Sequence, residues 1–203
     1  MPVTRLKETA SQTAGPYVHI GCVPSFAGLT GMYGGQDLGA VMLTDATQGE
    51  RIAIEGCVYD GIGVPLTDAM LEIWQADAQG LYNSRNETRG TADPSFTGWG
   101  RQPTAADGGL FRFETIKPGR VPWPDGRLQA PHITVWVVAR GINLGLATRI
   151  YFEDEAEANA TDPVLSRIEH KARIPTLIAK RSGDTYRFDI HLQGPHETIF
   201  FDI

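Results

Sequence analysis

Apolar and polar residues alternate at every second position through much of this chain, and this pattern limits the folds that are open to it. Within residues 110–115, Phe111 and Phe113 alternate with Arg112 and Glu114, which is the period of a β-strand rather than that of a helix. Further strand-like segments cover residues 51–60, 69–76, 132–139, 148–152, 177–180, 186–192 and 198–203. Turn residues separate them, and the 23 glycines and 13 prolines supply these turns. We therefore predict an all-β protein, an antiparallel β-sandwich with one or two short helices.

Two local patterns add detail to this prediction. Residues 155–170 form the one region with helical character, because Asp162 and Pro163 suit the cap and first turn of a helix and a short apolar stripe follows them. The turn at residues 182–184 joins its two flanking strand segments into a hairpin.

The first 49 residues differ from the rest, since they hold no sustained helical or strand period. Six glycines fall between Gly21 and Gly39, with scattered apolar residues such as Phe26 and Tyr33 between them. Such a segment buries too little apolar surface to be stable by itself. We expect an extended N-terminal arm, residues 1–49, that packs on the body or on a partner chain, and a β-sandwich body, residues 50–203.

Charge and composition exclude several classes of partner. The net charge is −6 and the chain contains no run of Lys or Arg, so we expect neither nucleic acid nor an acidic membrane surface as a partner. Residues 1–8 include no apolar signal segment, and no apolar run approaches membrane-spanning length. We therefore expect a cytoplasmic protein.

Several segments in the centre of the chain carry motifs specific enough to indicate a family. They are Gly56–Gly61, Leu71–Tyr82, Gly98–Arg101, Thr115–Gly119 and Ala130–Ile133. The run Trp74-Gln75-Ala76-Asp77 and the turn Lys117-Pro118-Gly119 are the most distinctive. Together these segments resemble the intradiol ring-cleavage dioxygenase family. Residues 11–17, 139–143 and 197–202 extend the likeness to the iron-free α chains of the family's two-subunit members.

The resemblance implies an iron site of which this chain retains little. Catalytic members hold ferric iron with two tyrosines and a His-x-His pair, and phenolate oxygen and imidazole are ligands that suit this hard cation. Here the tyrosine expected after the Lys-Pro-Gly turn is Val121, the pair reads His132-Ile133-Thr134, and residues 83–92 contain no tyrosine. Three of the four ligands are thus missing. We expect no metal ligand and no catalytic residue in this chain, and we interpret His132 as a hydrogen-bonded core residue.

The resemblance also implies a partner and an activity. In the two-subunit enzymes a homologous β subunit holds Fe(III), and α–β pairs cleave protocatechuate with O₂ to 3-carboxy-cis,cis-muconate in the β-ketoadipate route. The arm of the α chain lines the substrate pocket, which places Thr13, Ala14, Gly15 and Pro16 beside the substrate. Arg140 is a further candidate, because guanidinium binds carboxylates well, although a structural ion pair would explain it equally well.

Two other functions stay open from the sequence. A β-sandwich can serve as a binding or carrier module without any chemistry, or the chain can be a catalytically inactive relative with a regulatory role. The glycine-rich arm favours a subunit of an obligate complex, because the arm needs a surface on which to lie.

Overall fold

The computed structural model of the protein describes residues 12–202, and β-strands make up most of its regular structure. In chain order they are β1 (Arg51–Tyr59), β2 (Met70–Trp74), β3 (Trp99–Pro103), β4 (Leu110–Ile116), β5 (His132–Val138), β6 (Leu146–Phe152), β7 (Ile178–Ser182), β8 (Thr185–Arg187) and β9 (Ile190–His191). The prediction of an all-β fold is confirmed. On β4, Phe111 and Phe113 are buried and Arg112 and Glu114 are exposed, as their alternation predicts.

The strands form one sheet that nearly closes on itself around the core. Their order is β3-β2-β5-β6-β7-β8-β1-β4, with β9 beside β1. The strands at the two ends of this order, β3 and β4, pack against each other. Gly100 on β3 lies so close to Phe113 on β4 that a Cβ atom added to the glycine would be 3.1 Å from Cδ1 of the phenylalanine. The two layers of the predicted sandwich are therefore joined into a single curved sheet. Most pairs are antiparallel, but β1 pairs with β8 and β9, and β6 with β7, in parallel.

The predicted hairpin is confirmed at β7 and β8, which are antiparallel and joined through Gly183 at φ 66°. Its second arm is shorter than predicted and gives way to the separate strand β9. The carboxylate of Asp189 accepts a hydrogen bond from the backbone N–H of Cys57 at 2.9 Å. Gly56 allows the Phe188 carbonyl to approach β1, since a Cβ there would meet that oxygen at 1.8 Å. These contacts divide the pairing along β1 into two separate strands, β8 and β9.

The sequence analysis misses one strand, and one of the strands that it predicts is wrong. Strand β3 was not predicted because its sequence has no apolar alternation, and it forms by pairing along its whole length with β2. The predicted last strand, residues 198–203, is not a strand within the described residues. Phe201 makes an isolated bridge to Ala147, whereas Thr198 bonds to His191, so the tail divides its hydrogen bonds between separate elements. Ile203 lies outside the described residues.

The region of helical character predicted at residues 155–170 is present, but it is divided into short elements. The region contains helix α2 (Ala156–Ala160) and short 3-10 turns at Glu153–Glu155 and Leu165–Arg167, followed by another at Lys171–Leu177. Asp162 does cap a turn, because its Oδ1 accepts hydrogen bonds from the N–H groups of Val164 and Leu165 at 2.8 Å. The turn ends at Ile168, where the backbone becomes extended. Asp162 therefore starts one turn rather than a long helix.

The described part of the predicted arm lies along the body and contains a helix that the sequence did not predict, α1 (Pro16–Cys22). A 3-10 turn follows at Pro24–Ala27. The N–H of Arg101 on β3 donates to the carbonyl of Gly39 at 2.9 Å, and its guanidinium donates to that of Cys22 at 3.2 Å. Residues 1–11 of the predicted arm lie outside the described residues. Within residues 12–202, no helix has both the length and the apolar character that a membrane crossing requires.

Candidate functional site

The arm meets the body at the end of strand β5, next to Arg140. The hydroxyl of Thr13 accepts a hydrogen bond from the N–H of Gly141 at 2.8 Å and donates to the carbonyl of Ala139 at 3.4 Å. Helix α1 begins at Pro16, just beyond this contact. The arm segment that contains Thr13, Ala14, Gly15 and Pro16 is thereby held beside the strand end that carries Arg140.

A cleft of about 310 Å³ lies between this part of the arm and the body. Its lining residues are Ala14, Gly15, His19, Ile20, Phe26, Ala27, Asp68 and Arg140, and we call it the arm cleft. It brings together three of the residues singled out from the sequence, namely Ala14, Gly15 and Arg140. Thr13 fastens the arm beside the cleft, and Pro16 starts the helix that follows.

Gly15 is not required by its conformation or by its neighbours within this chain. Its φ is −124°, which any residue adopts. A Cβ atom at this position would meet no atom within 4 Å. The described residues therefore give no steric reason for a glycine at this position of the arm cleft.

Arg140 forms an ion pair with Asp68, with its Nε 2.9 Å from Oδ2. The arginine side chain is 74% exposed and the aspartate side chain is 31% exposed. The alternative explanation of Arg140 from the sequence, a structural ion pair, is therefore present in the fold. A guanidinium carries five N–H donors, so this pair leaves donors for a second anion.

Two polar atoms of residues in the arm cleft have no hydrogen-bond partner among the described residues. Among residues 12–202, three buried side-chain atoms make no hydrogen bond, and two of them, His19 Nε2 and Asp68 Oδ1, belong to residues that line this cleft. His19 is 7% exposed and packs against Phe26, with ring centroids 4.7 Å apart. No sequence pattern points to either residue, since neither belongs to a motif or follows a regular spacing.

The positions of the family's iron ligands lie in a different part of the sheet. Val121 is buried. Thr134 and His132 are both on β5. His132 is 4% exposed, and its Nδ1 lies 2.8 Å from the carbonyl of Ala130, which fixes the proton on this nitrogen in the neutral ring. The interpretation of His132 as a buried, hydrogen-bonded core residue agrees with this geometry.

Arg149 on β6 places a permanent positive charge beside these positions. It pairs with Thr134 across β5 and β6, and its Nη1 donates to Gln129 Oε1 at 2.9 Å and to the Tyr151 hydroxyl at 3.4 Å. Burial, and after it the charge of Arg149, lower the pKa of His132 to about 4. His132 is therefore uncharged at neutral pH. Sequence reasoning missed Arg149, because its position opposite Thr134 depends on strand register.

The tyrosines nearest to this region are neutral phenols. Burial raises the pKa of Tyr82 and that of Tyr151 above their ordinary values. Tyr82 stacks on Trp74 with ring centroids 5.9 Å apart, and Tyr151 packs against His132 at 5.8 Å. Both are packing residues, which agrees with the interpretation made from the sequence.

A second cavity, of about 520 Å³, opens beside Thr134 and Arg149. We call it the β5–β6 cavity; Trp123, Val164 and Arg167 also line it. The guanidinium of Arg167 lies over the ring of Trp123, 5.1 Å from its centroid. In the described range, no three His, Cys, Asp or Glu side chains come together in a way that could hold a metal ion.

Comparisons with known proteins agree with this architecture. The family model described as Dioxygenase matches residues 24–194. The protocatechuate 3,4-dioxygenase alpha chain of Pseudomonas putida is 47% identical over 206 residues, covering 100% of both chains. The beta chain of the enzyme of that name from Burkholderia cepacia is 34% identical over 186 residues, covering 82% of this chain and 78% of the relative.

A solved structure supports the fold alone. The intradiol ring-cleavage dioxygenase from Tetranychus urticae superposes with a TM-score of 0.53 at 19% identity, covering 78% of this chain and 90% of that one. With the family match and the full-length relative, the chain belongs to the intradiol ring-cleavage dioxygenase family. Membership of this family implies iron in the working enzyme.

Proposed function

We propose that this chain is the iron-free α subunit of a two-subunit intradiol dioxygenase in the cytoplasm. The enzyme would cleave protocatechuate with O₂ to 3-carboxy-cis,cis-muconate in the β-ketoadipate route. The observation that carries this proposal is the 47% identity over the full length to an alpha chain of that name. The weaker likeness to a beta chain supports a homologous partner of this chain.

Iron belongs to the β partner in this proposal, because the residues present here do not suit ferric iron. Val121 has no donor atom, Thr134 offers a neutral hydroxyl in place of an imidazole, and the nearby phenols are protonated. Arg149 adds a positive charge that disfavours a cation at this point. His132 is the one family ligand that remains, and a single imidazole does not make a ferric site.

The contribution of this chain would be one wall of the substrate pocket. Thr13, Ala14, Gly15 and Pro16 would line it from the arm, and Arg140 would bind the carboxylate of protocatechuate. The unexplained glycine supports this role, because Gly15 has open space around it within the chain and a glycine allows a partner or ligand to approach the backbone closely.

The exposed surface of the arm supports an obligate partner. Seven large apolar side chains between residues 17 and 41 are exposed, namely Tyr17, Ile20, Leu29, Met32, Tyr33, Leu38 and Val41. Apolar groups concentrated in one segment mark an interaction surface more often than isolated ones do. We propose that the arm, residues 1–49, packs on the β subunit through them.

Co-expression with a homologous chain that retains both tyrosines and the His-x-His pair tests this function. We expect the two chains to elute together in size-exclusion chromatography and to consume O₂ when protocatechuate is added. Each chain alone should give no uptake. Separate elution of the two chains, or a complex that does not consume O₂ with protocatechuate, would contradict the proposal.

A further inference from the structure

The ion pair in the arm cleft joins a well-exposed arginine to a less exposed aspartate. Arg140 Nε lies 2.9 Å from Asp68 Oδ2, and no other acidic side chain or hydrogen-bond acceptor among residues 12–202 engages this guanidinium. A free arginine side chain samples many rotamers, and fixing it costs conformational entropy. Asp68 supplies the contact that holds Arg140 in one place at the edge of the cleft.

Stability alone does not account for this arrangement. Exposed ion pairs contribute little to folding, and the Arg140 side chain is 74% exposed. At the same time Asp68 Oδ1 is buried without a partner, which costs free energy in the folded chain. The pair therefore combines a small benefit for folding with an unsatisfied atom, a combination that is common at binding sites.

A second, independent observation identifies the arm cleft as a binding site. His19 is 7% exposed, lines the cleft, and its Nε2 has no partner among the described residues. The third unpartnered buried atom, Asn159 Oδ1, belongs to a residue that does not line this cleft. Two of the three unpartnered buried atoms among the described residues therefore belong to residues of the arm cleft, although buried polar atoms are normally hydrogen-bonded.

We propose that Asp68 is a positioning residue for Arg140, which it holds by an ion pair so that the guanidinium donors bind the carboxylate of an aromatic substrate. This inference rests on the proposed function and adds Asp68 to the pocket. Guanidinium binds carboxylates through parallel N–H donors, which requires a fixed orientation. The charge of Asp68 by itself would repel that carboxylate, so positioning and charge predict opposite effects of its removal.

The test is steady-state kinetics of the assembled α–β enzyme with Asp68→Asn, Arg140→Ala and the double variant. Asp68→Asn should raise KM for protocatechuate about tenfold and leave kcat within about twofold, as expected for the loss of a binding contact. The inhibition constant of catechol, which lacks the carboxylate, should change by less than about twofold. In the Arg140→Ala background, Asp68→Asn should have no further effect.

Other kinetic results would contradict either the positioning role of Asp68 or the proposed function. An unchanged or lower KM for Asp68→Asn overturns the positioning role, as does full additivity with Arg140→Ala. Glu114→Gln is the matched control, because it breaks another arginine Nε–carboxylate pair, with Arg112, on a strand that contributes nothing to the arm cleft. A wild-type complex without activity on protocatechuate would instead contradict the proposed function.

A second variant keeps the inference testable if Asp68→Asn does not assemble. Lysine in Arg140→Lys retains the charge but has a single nitrogen, which cannot serve Asp68 and a carboxylate in the same fork geometry. We expect it to raise KM for protocatechuate about tenfold. Wild-type KM in Arg140→Lys would show that charge alone is sufficient and would overturn the proposal.

Discussion

The arm cleft and the β5–β6 cavity differ in how far their polar groups are satisfied. In the β5–β6 cavity, Arg149 is bonded to Gln129 and Tyr151, and burial and this charge keep nearby His132 neutral. In the arm cleft, His19 and Asp68 each have a buried atom without a partner. The region that corresponds to the family's iron site is thus complete within the chain, whereas the arm cleft is not.

We interpret the β5–β6 cavity as the remnant of a lost iron site and the arm cleft as a site that a ligand or a partner chain completes. A buried polar group without a partner is unfavourable, so the arm cleft is best explained by a ligand or partner that supplies the missing bonds. The β5–β6 cavity has no such need. Iron ligands are lost there, and no buried side-chain atom of the cavity's described residues is without a hydrogen bond. This is what we expect of a subunit that has kept the fold but not the iron site.

The largest expected effect is a loss of folding stability at low pH, and it tests whether His132 is a neutral core residue. The pKa of His132 is about 4 in the folded chain and near 6.5 when it is exposed. Because the folded pKa is the lower one, the unfolded state takes up the proton first, and stability falls as pH drops from about 6.5 to about 4. The loss should be about 3 kcal/mol.

Urea denaturation of the chain between pH 7 and pH 4 measures this loss. His132→Gln should remove most of the pH dependence in this window. His170→Gln, at an exposed histidine, is the control and should behave as the wild type. The same slope in His132→Gln and the wild type would show that His132 does not titrate as the structure implies.

The next effect tests the arm cleft. Replacing Arg140 with alanine should raise KM for protocatechuate in the assembled enzyme by a factor of about 30, equivalent to about 2 kcal/mol for a charged hydrogen-bonding group. Arg112→Ala, which removes an arginine on β4 outside the cleft, controls for the lost charge. An unchanged KM for Arg140→Ala would remove this residue from the substrate path.

The smallest effect tests the β5–β6 cavity. Arg149→Met should leave KM and kcat for protocatechuate within about twofold of wild type, because this cavity takes no part in the proposed reaction. The same variant should raise the pKa of His132, since the charge of Arg149 lowers it. The loss of stability on acidification should then be smaller and should end at a higher pH, because the gap between the folded and the unfolded pKa narrows. A large rise in KM for Arg149→Met would show that both cavities serve the substrate.

The sequence predicted those parts of the fold that depend on local patterns. Phe111 and Phe113 alternate with polar residues, and this alternation predicts strand β4 directly. Strand β3 has no such pattern, since only its pairing with β2 makes it a strand. The hydrogen bond from the Cys57 N–H to the Asp189 carboxylate is a tertiary contact, and no local pattern predicts it. The Asp162 cap is local, and the Asp162-Pro163 pair predicts it, although it starts only a single turn.

The residues of the arm cleft also fall into those that the sequence predicts and those that it does not. The resemblance to the family pointed to Arg140 and to the arm around Gly15, because motifs carry over residue by residue. Asp68 and His19 belong to no motif. Asp68 meets Arg140 because β2 and β5 pair antiparallel, with Met70 opposite Val138, whereas His19 lines the same cleft from an arm that Thr13 bonds to the strand end, 128 residues further along the chain. Long-range contacts of this kind follow from the fold and cannot be read from a single sequence.

The metal content of the purified chain tests the central claim most directly. We expect the α chain alone to carry no stoichiometric iron and to show no visible tyrosinate-to-iron absorption. The assembled enzyme should contain one iron per α–β pair and show that absorption. One tightly held iron in each isolated α chain would contradict the account, because Val121, Thr134 and Arg149 would then have to surround a metal that their chemistry disfavours.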